Sequence, residues 1–352
     1  MKKAYKATLL ILIMAIFFML CGGAILLNGK LNRSHRGIIN ALSSLEKRSD
    51  SSSTIENNVT DKSEARQGPV YDFASIPSET LEPYDPRGKY YSSGGDDPSV
   101  DTVDADGVLL TFRKELDGDS YHPVAIAQYG LGQFSNYVVT GSDEFLAEAR
   151  AQADWLAGQI MANDGYLYYD FDFDVIYNEP LKTPWASAMA QGLAISLLAR
   201  FYDQTGEDRY LSACTLAMEP LVVPVSQGGL LEDFFGRPFY EEYPTKLPNY
   251  TLNGFMFTLI GLLDLWKITG DDIAEKLYRD GIETLIFSLP FFDSNGISLY
   301  WLTHLNGTGV PVHYAPKYHL IHIKQLQALN QFEDNSVISH YIEAWIGYVT
   351  GE

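Results

Sequence analysis

Three stretches of the chain carry side chains suited to moving a proton on and off carbon. Glu241-Glu242-Tyr243-Pro244-Thr245 sets two carboxylates beside a phenol and leads into an apolar helical stretch. Tyr300 follows, and Tyr318-His319-Leu320-Ile321-His322-Ile323-Lys324-Gln325-Leu326-Gln327 adds another phenol and two imidazoles one helical turn apart. Taking a proton from carbon needs a base on one side and donors for the charge that develops. A free phenol ionises only near pH ~10, so Tyr318 serves as a base near neutrality only with positive charge beside it, from Lys317 or His322. Each group also has a plain structural reading. Glu242 would cap the helix that begins near Thr251 or lie on a solvated turn, and Tyr300 and Tyr318 would be core rings. His319 and His322 are spaced for a metal, but no third ligand suggests itself, so hydrogen bonding to sugar or carboxylate is expected of them. No metal is expected. Neither a nucleotide-sugar motif nor a dinucleotide glycine loop is present, so no cofactor is expected either.

These groups must be positioned by helices. Thr140-Gly141-Ser142-Asp143, Thr205-Gly206-Glu207-Asp208 and Thr269-Gly270-Asp271-Asp272 lie 65 and 64 residues apart, and a similar step reaches Glu333-Asp334-Asn335-Ser336. Each follows one apolar helical run and precedes another. Its glycine suits the left-handed end of a helix, and the Ser or Asp after it suits a cap for the next. Helical hairpins at such a period cannot bury their apolar faces singly. The expected fold is mainly α, an incomplete α/α toroid of about four helical hairpins over 121–352, with a small β-hairpin element over 67–120. Val108–Phe112 and Lys89-Tyr90-Tyr91 are its β-prone pieces. Tyr166 to Asp174 alternates like a strand, with Asp170, Asp172 and Asp174 on one face, a solvated face more than a cation site. Thr102–Gly107 departs from a calcium loop, since Arg113 falls where the bidentate glutamate belongs.

No charged residue lies between Lys6 and Lys30, a window long enough to cross a bilayer of ~30 Å. Residues 1–30 are therefore expected to anchor the chain in a membrane, 31–66 to form a flexible polar stem, and the remainder to be exported to the periplasm or cell exterior, or to a Golgi lumen in a eukaryote. The two cysteines, Cys21 in the apolar window and Cys214, cannot bridge. The 23 tyrosines and 18 phenylalanines suit a carbohydrate cleft as well as a core. Trp185 is a stacking platform or a packed ring; Gln128, Gln191 and Asn253 bind hydroxyls or satisfy buried backbone. No nucleic-acid partner is expected, and a homodimer is one assembly the sequence permits. The net charge of −20 opposes an anionic polymer, so such a substrate needs a locally basic cleft, for which Lys182, Arg237, Lys246, His304, Lys317, His319, His322 and Lys324 are candidates.

Ordered blocks over 121–350 resemble the heparosan-glucuronate C5-epimerase (D-glucuronyl C5-epimerase) family, in a short form similar to its C-terminal catalytic domain. They are Tyr121-His122-Pro123-Val124-Ala125-Ile126-Ala127-Gln128-Tyr129-Gly130-Leu131, then Pro184–Gly192, then Glu241–Thr245 with Leu252-Asn253-Gly254-Phe255-Met256, and finally Tyr300 through Gln327. The resemblance implies epimerisation of D-glucuronate to L-iduronate within a heparosan-like glycosaminoglycan, by removing the C5 proton and returning one on the other ring face. It implies catalytic roles for Glu242, Tyr300 and Tyr318, aided by Tyr243, and makes Tyr121 a substrate contact. Two departures stand out. The β-rich domain of larger animal members has no room here, and their arginine after the matched tyrosine is replaced by Thr303, so the substrate carboxylate must be held by other groups, with Lys182, Arg237 and His304 as candidates. The alternatives are a polysaccharide lyase, which would share the proton abstraction, and a non-catalytic glycan-binding protein.

Overall fold

A computed structural model describes residues 82–91, 102–113, 116–176, 178–307, 309–310 and 312–350. The expected anchor and stem, 1–66, lie outside the described residues. No helix among the described residues is long and apolar enough to cross a membrane.

Among the described residues eight helices form four hairpins: α1 (Pro123–Thr140) with α2 (Asp143–Ala162), α3 (Ala188–Thr205) with α4 (Asp208–Met218), α5 (Leu252–Thr269) with α6 (Asp272–Phe292), and α7 (Pro316–Glu333) with α8 (Ser336–Thr350). The first of each pair is an inner helix. Packing runs α1–α3–α5–α7, each inner helix backs onto its own partner, and α1 and α7 share no comparable seam among the described residues. This is the incomplete α/α toroid expected from the spacing. Helices α3 and α5 are buried on every side over most of their length, which befits the centre of the row. They cross backbone to backbone, because a Cβ on Gly192 or Gly261 would overlap the facing helix.

The repeated turns explain the register. Gly141, Gly206 and Gly270 are left-handed, at φ +70°, +68° and +76°, and Asp334 takes the same place at +44°. The threonine before each glycine donates to the carbonyl four residues back (Asn136, Phe201, Leu265) and accepts the N–H two residues on (Ser142, Glu207, Asp271). The expectation of a side-chain cap after each turn holds only in part. Asp271 accepts from Ala274 N–H at 2.8 Å and Asn335 from Val337 N–H at 2.9 Å, whereas Ser142 and Glu207 make no such bond.

Of the β-prone pieces, β1 (Thr111–Arg113) and β2 (Gly118–Ser120) form a short hairpin. Lys89-Tyr90-Tyr91 is not a strand. It ends a strap, 82–91, that crosses the C-terminal halves of all four inner helices. Tyr90 N–H bonds Ser135 on α1, Arg200 on α3 bonds Gly88 O, Tyr84 O–H bonds Asp264 on α5, and Tyr84 N–H bonds Gln331 on α7. Tyrosine favours strands, but here its ring fills the end of the helical ring.

Candidate active site

At the other end of the inner helices lies a cavity of about 350 Å³. Its wall takes residues from the first two turns of each inner helix or the residue just ahead: His122, Val124 and Gln128 of α1, Ser187 and Met189 of α3, Asn253 and Phe257 of α5, and Lys317, Tyr318 and Ile321 of α7. All four helix N-termini therefore face the same space, each with a partial positive charge.

A hairpin closes one side. Strand β3 (Tyr168–Tyr169) pairs with β4 (Trp185–Ala186), and Phe173 bridges Leu181. The alternation foreseen from the sequence turns Tyr169, Phe171 and Phe173 to the cavity and leaves Asp170, Asp172 and Asp174 exposed. Tyr169 lies flat on Trp185, with ring centroids 3.9 Å apart. No cluster of acidic, histidine and cysteine side chains able to hold a metal occurs among the described residues.

Glu242 sits against the start of α5 and is only 6% exposed. Its Oε2 has no hydrogen-bond partner. Burial raises its pKa to about 7, opposed by the Tyr243 and Tyr300 hydroxyls and the Gly254 N–H. The helix-cap reading thus captures part of its setting, and the solvated-turn reading fails. Gly254 makes the space, since a Cβ there would overlap the Glu242 carboxylate. The neighbouring Glu241 holds the loop instead: its Oε1 accepts the Asn249 and Tyr250 N–H groups, both at 3.0 Å. Its carbonyl accepts Ala188 N–H, tying the turn to α3.

The phenols gather beside Glu242. The Tyr243 and Tyr300 hydroxyls are hydrogen-bonded at 3.1 Å, and the Tyr300 ring packs on Tyr318 with centroids 4.4 Å apart. Tyr300 is fixed by its carbonyl, which accepts Leu252 N–H at the head of α5. Burial first, and then the Glu242 charge, raise the pKa of all three phenols. Tyr318 therefore stays protonated near neutral pH, the form in which its hydroxyl can donate. Lys317 lies 5.1 Å over its ring, but His322 lends no charge, because burial holds that imidazole neutral well below its usual range.

Of the expected substrate contacts, Gln128, Trp185 and Asn253 line the cavity. The others lie elsewhere. Gln191 is in the core, bonded to Gly165 O, Ala217 O and Leu167 N–H. His319 and His322 are buried under α8, both bonded to Ser298, with His319 also on Trp345 O. Tyr121 stacks on Trp155 and bonds Asp104, Lys182 pairs with Asp172 on the exposed face of the hairpin, and Arg237 covers the Phe287 ring. His304 sits in a single turn at Thr303–Asn306, off the cavity wall. The sequence pattern does not mark His122 or the three aromatic side chains of the hairpin as site residues, although the alternation of the hairpin marks its inner face.

Residues 162–347, more than half the chain, match the family model of the D-glucuronyl C5-epimerase C-terminus. The chain belongs to this family. It is 34% identical over 184 residues to a D-glucuronyl C5-epimerase of Caenorhabditis elegans, a match covering 49% of this chain and 30% of that protein. An uncharacterized protein of Methanocaldococcus jannaschii is 31% identical over 177 residues, covering 49% of this chain and 54% of its own length. Among solved structures, a family 76 glycoside hydrolase from a bovine Bacteroides thetaiotaomicron strain aligns at TM-score 0.42 and 15% identity, over 61% of this chain and 44% of its own. A polysaccharide lyase aligns at TM-score 0.43 and 14% identity, over 71% and 65%. The segment that matches the family model includes Glu242, Tyr243, Tyr300 and Tyr318.

Proposed function

We propose that the protein inverts C5 of D-glucuronate residues within a heparosan-like polysaccharide, giving L-iduronate. The observation that carries this reading is Glu242, a nearly buried carboxylate on the cavity wall whose pKa is raised to about 7, with the protonated phenols of Tyr243, Tyr300 and Tyr318 beside it.

In this mechanism Glu242 takes the C5 proton, and the C–H electron pair moves into the C5–C6 bond and onto the carboxylate oxygens. Tyr318 O–H gives a proton to the opposite face of C5, which inverts the centre and leaves a phenolate. The Tyr300 and Tyr243 hydroxyls, bonded to each other, couple to Tyr318 through Tyr300 and to Glu242 through both, and proton transfer along them restores both groups. Lys317 and the four helix N-termini face the substrate carboxylate, supplying the positive charge that Thr303 does not. Trp185 and the hairpin rings give the sugar an apolar wall. The proposal includes export of this domain by the apolar segment 1–30.

Incubating the full chain with heparosan in D2O tests the reading by proton NMR. Iduronate resonances should appear without an H5 signal, because the returned proton comes from solvent, and Glu242→Gln and Tyr318→Phe should abolish them. Retention of glucuronate H5 in heparosan and in other glucuronans alike would refute it. An unsaturated chain end in place of iduronate would indicate elimination.

A further inference from the structure

We propose that the Nε2–H of His122 donates a hydrogen bond to the carboxylate of the reacting sugar and strengthens it as charge moves onto those oxygens. The inference rests on the C5-epimerisation reading above, and it adds a catalytic residue at a position where the sequence pattern marked none.

His122 is the residue ahead of α1, and its Nδ1 accepts the Ala125 N–H at 3.2 Å. A ring nitrogen that accepts carries no proton, so the neutral imidazole has its hydrogen on Nε2. With Nδ1 committed to the helix cap, Nε2–H is the one polar group this ring can offer to the cavity it lines. Tyr169 meets the ring edge-on at 5.2 Å and Phe171 packs at 5.8 Å, and both are cavity walls themselves. The ring is thus held by a hydrogen bond and two aromatic contacts, the fixed orientation that transition-state stabilisation needs. Burial, and secondly the charge of Arg113, lower its pKa to about 4, so it remains a neutral donor over the range in which Glu242 is ionised. A neutral donor costs less to desolvate than a cation and responds as the carboxylate gains charge. Thr303, at the position where the resemblance places the arginine of larger animal members, is buried and off the cavity wall.

Two variants separate the cap from the donor. His122→Asn keeps an oxygen acceptor suited to the head of α1 and removes the Nε2 donor. His122→Gln places an amide N–H near the Nε2 position. On heparosan in D2O, the Asn variant should lose on the order of 10²-fold in kcat with Tm unchanged, and the Gln variant should recover part of that loss. A kcat within about threefold of wild type for His122→Asn, or equal losses in both variants that follow Tm, would overturn the proposal. A second measurement does not need turnover: long-range proton–nitrogen spectra of the full chain labelled with 15N-histidine, with the His122 signal assigned by its loss in His122→Asn. The expected result is the Nε2–H tautomer near neutral pH, with Nε2 shifting on addition of a heparosan oligosaccharide. The Nδ1–H tautomer, or no shift at saturating oligosaccharide, would also overturn it. If wild type exchanges no H5 while Nε2 still shifts, epimerisation fails and the His122 contact stands.

Discussion

In the proposed reaction Glu242 must be buried enough to share a dry site with the reacting carbon, yet ionised often enough to act. Its pKa of about 7 meets both conditions. A base works in its ionised form, so log kcat/KM for H5 exchange should climb with unit slope up to about pH 7 and level off above; a flat profile from pH 5 to 8 would remove Glu242 from the role. Stability has the opposite sign. Burial raises Glu241 to about 8 and Glu242 to about 7, so the folded chain holds these protons more tightly than the unfolded chain does. Their contribution is complete below the ordinary carboxylate pKa of ~4.3 and is lost as pH rises through 7 to 8, roughly 3–4 kcal/mol for Glu242 and roughly 5 kcal/mol for Glu241. Glu241→Gln keeps an oxygen for the Asn249 and Tyr250 amides, so denaturant titrations should show it flattening that decline and stabilising the protein at pH 8. Gly254→Ala should do something different. Alanine favours a helix over glycine by up to ~1 kcal/mol, but its Cβ would displace the Glu242 carboxylate. That Cβ would also come within 2.7 Å of the Glu242 Cβ, so the expected variant is less stable than wild type by about 1–3 kcal/mol and loses at least about 10²-fold in kcat. Unchanged activity would mean that the carboxylate can act from a shifted position.

The hairpin repeat was legible because Thr-Gly turns at even spacing state a helix end twice, in the threonine's hydrogen bonds and in the left-handed glycine. The Glu-Glu-Tyr turn was legible as a motif, and the alternation of Tyr166–Asp174 marked both the wet and the dry face of that hairpin. What failed depends on a third element. His319 and His322 share a face of α7, and nothing local says that Trp345 of α8 and Ser298 cover it. Lys89-Tyr90-Tyr91 has strand-forming residues, but the partner of Tyr84 and its neighbours is a buried ion pair between α3 and α5. Arg200 and Asp264 are both fully buried, 2.7 Å apart, with Tyr84 O–H closing the set. Such a pair is costly to break from one side, because it leaves an unpaired buried charge. Asp264→Asn should lower unfolding free energy by ~3–5 kcal/mol, a large share of the ~5–15 of an ordinary domain, with an unchanged slope against urea. Replacing both Arg200 and Asp264 by leucine should recover much of that loss. A loss below ~1 kcal/mol for Asp264→Asn would show that the strap and helices hold without the pair.

At the scale of the whole molecule, charge works against the proposed substrate and the fold answers locally. The chain carries a net charge of −20, and a glucuronate polymer approaching it is repelled over distances comparable to the Debye length. On the cavity wall the balance differs, since one carboxylate, Glu242, is set against one cation, Lys317, and the helix N-termini. Four parallel inner helices bring about half a positive charge each to the same opening, and Lys317 stands on its wall without an ion-pair partner among the described residues. The repulsion acts at long range through solvent, whereas the attraction acts at short range in a partly desolvated cleft, so salt screens the first more than the second. Raising ionic strength from ~10 to ~150 mM, over which the Debye length falls from ~30 to ~8 Å, should therefore increase kcat/KM on long heparosan several-fold. A short oligosaccharide carries fewer charges past the acidic body and should respond less. Lys317→Gln should raise KM for both without removing the salt effect, since it weakens the local attraction alone. A kcat/KM that falls steadily from the lowest salt would mean that the cleft's field already governs approach, and that the acidic surface lies away from the path of the polymer.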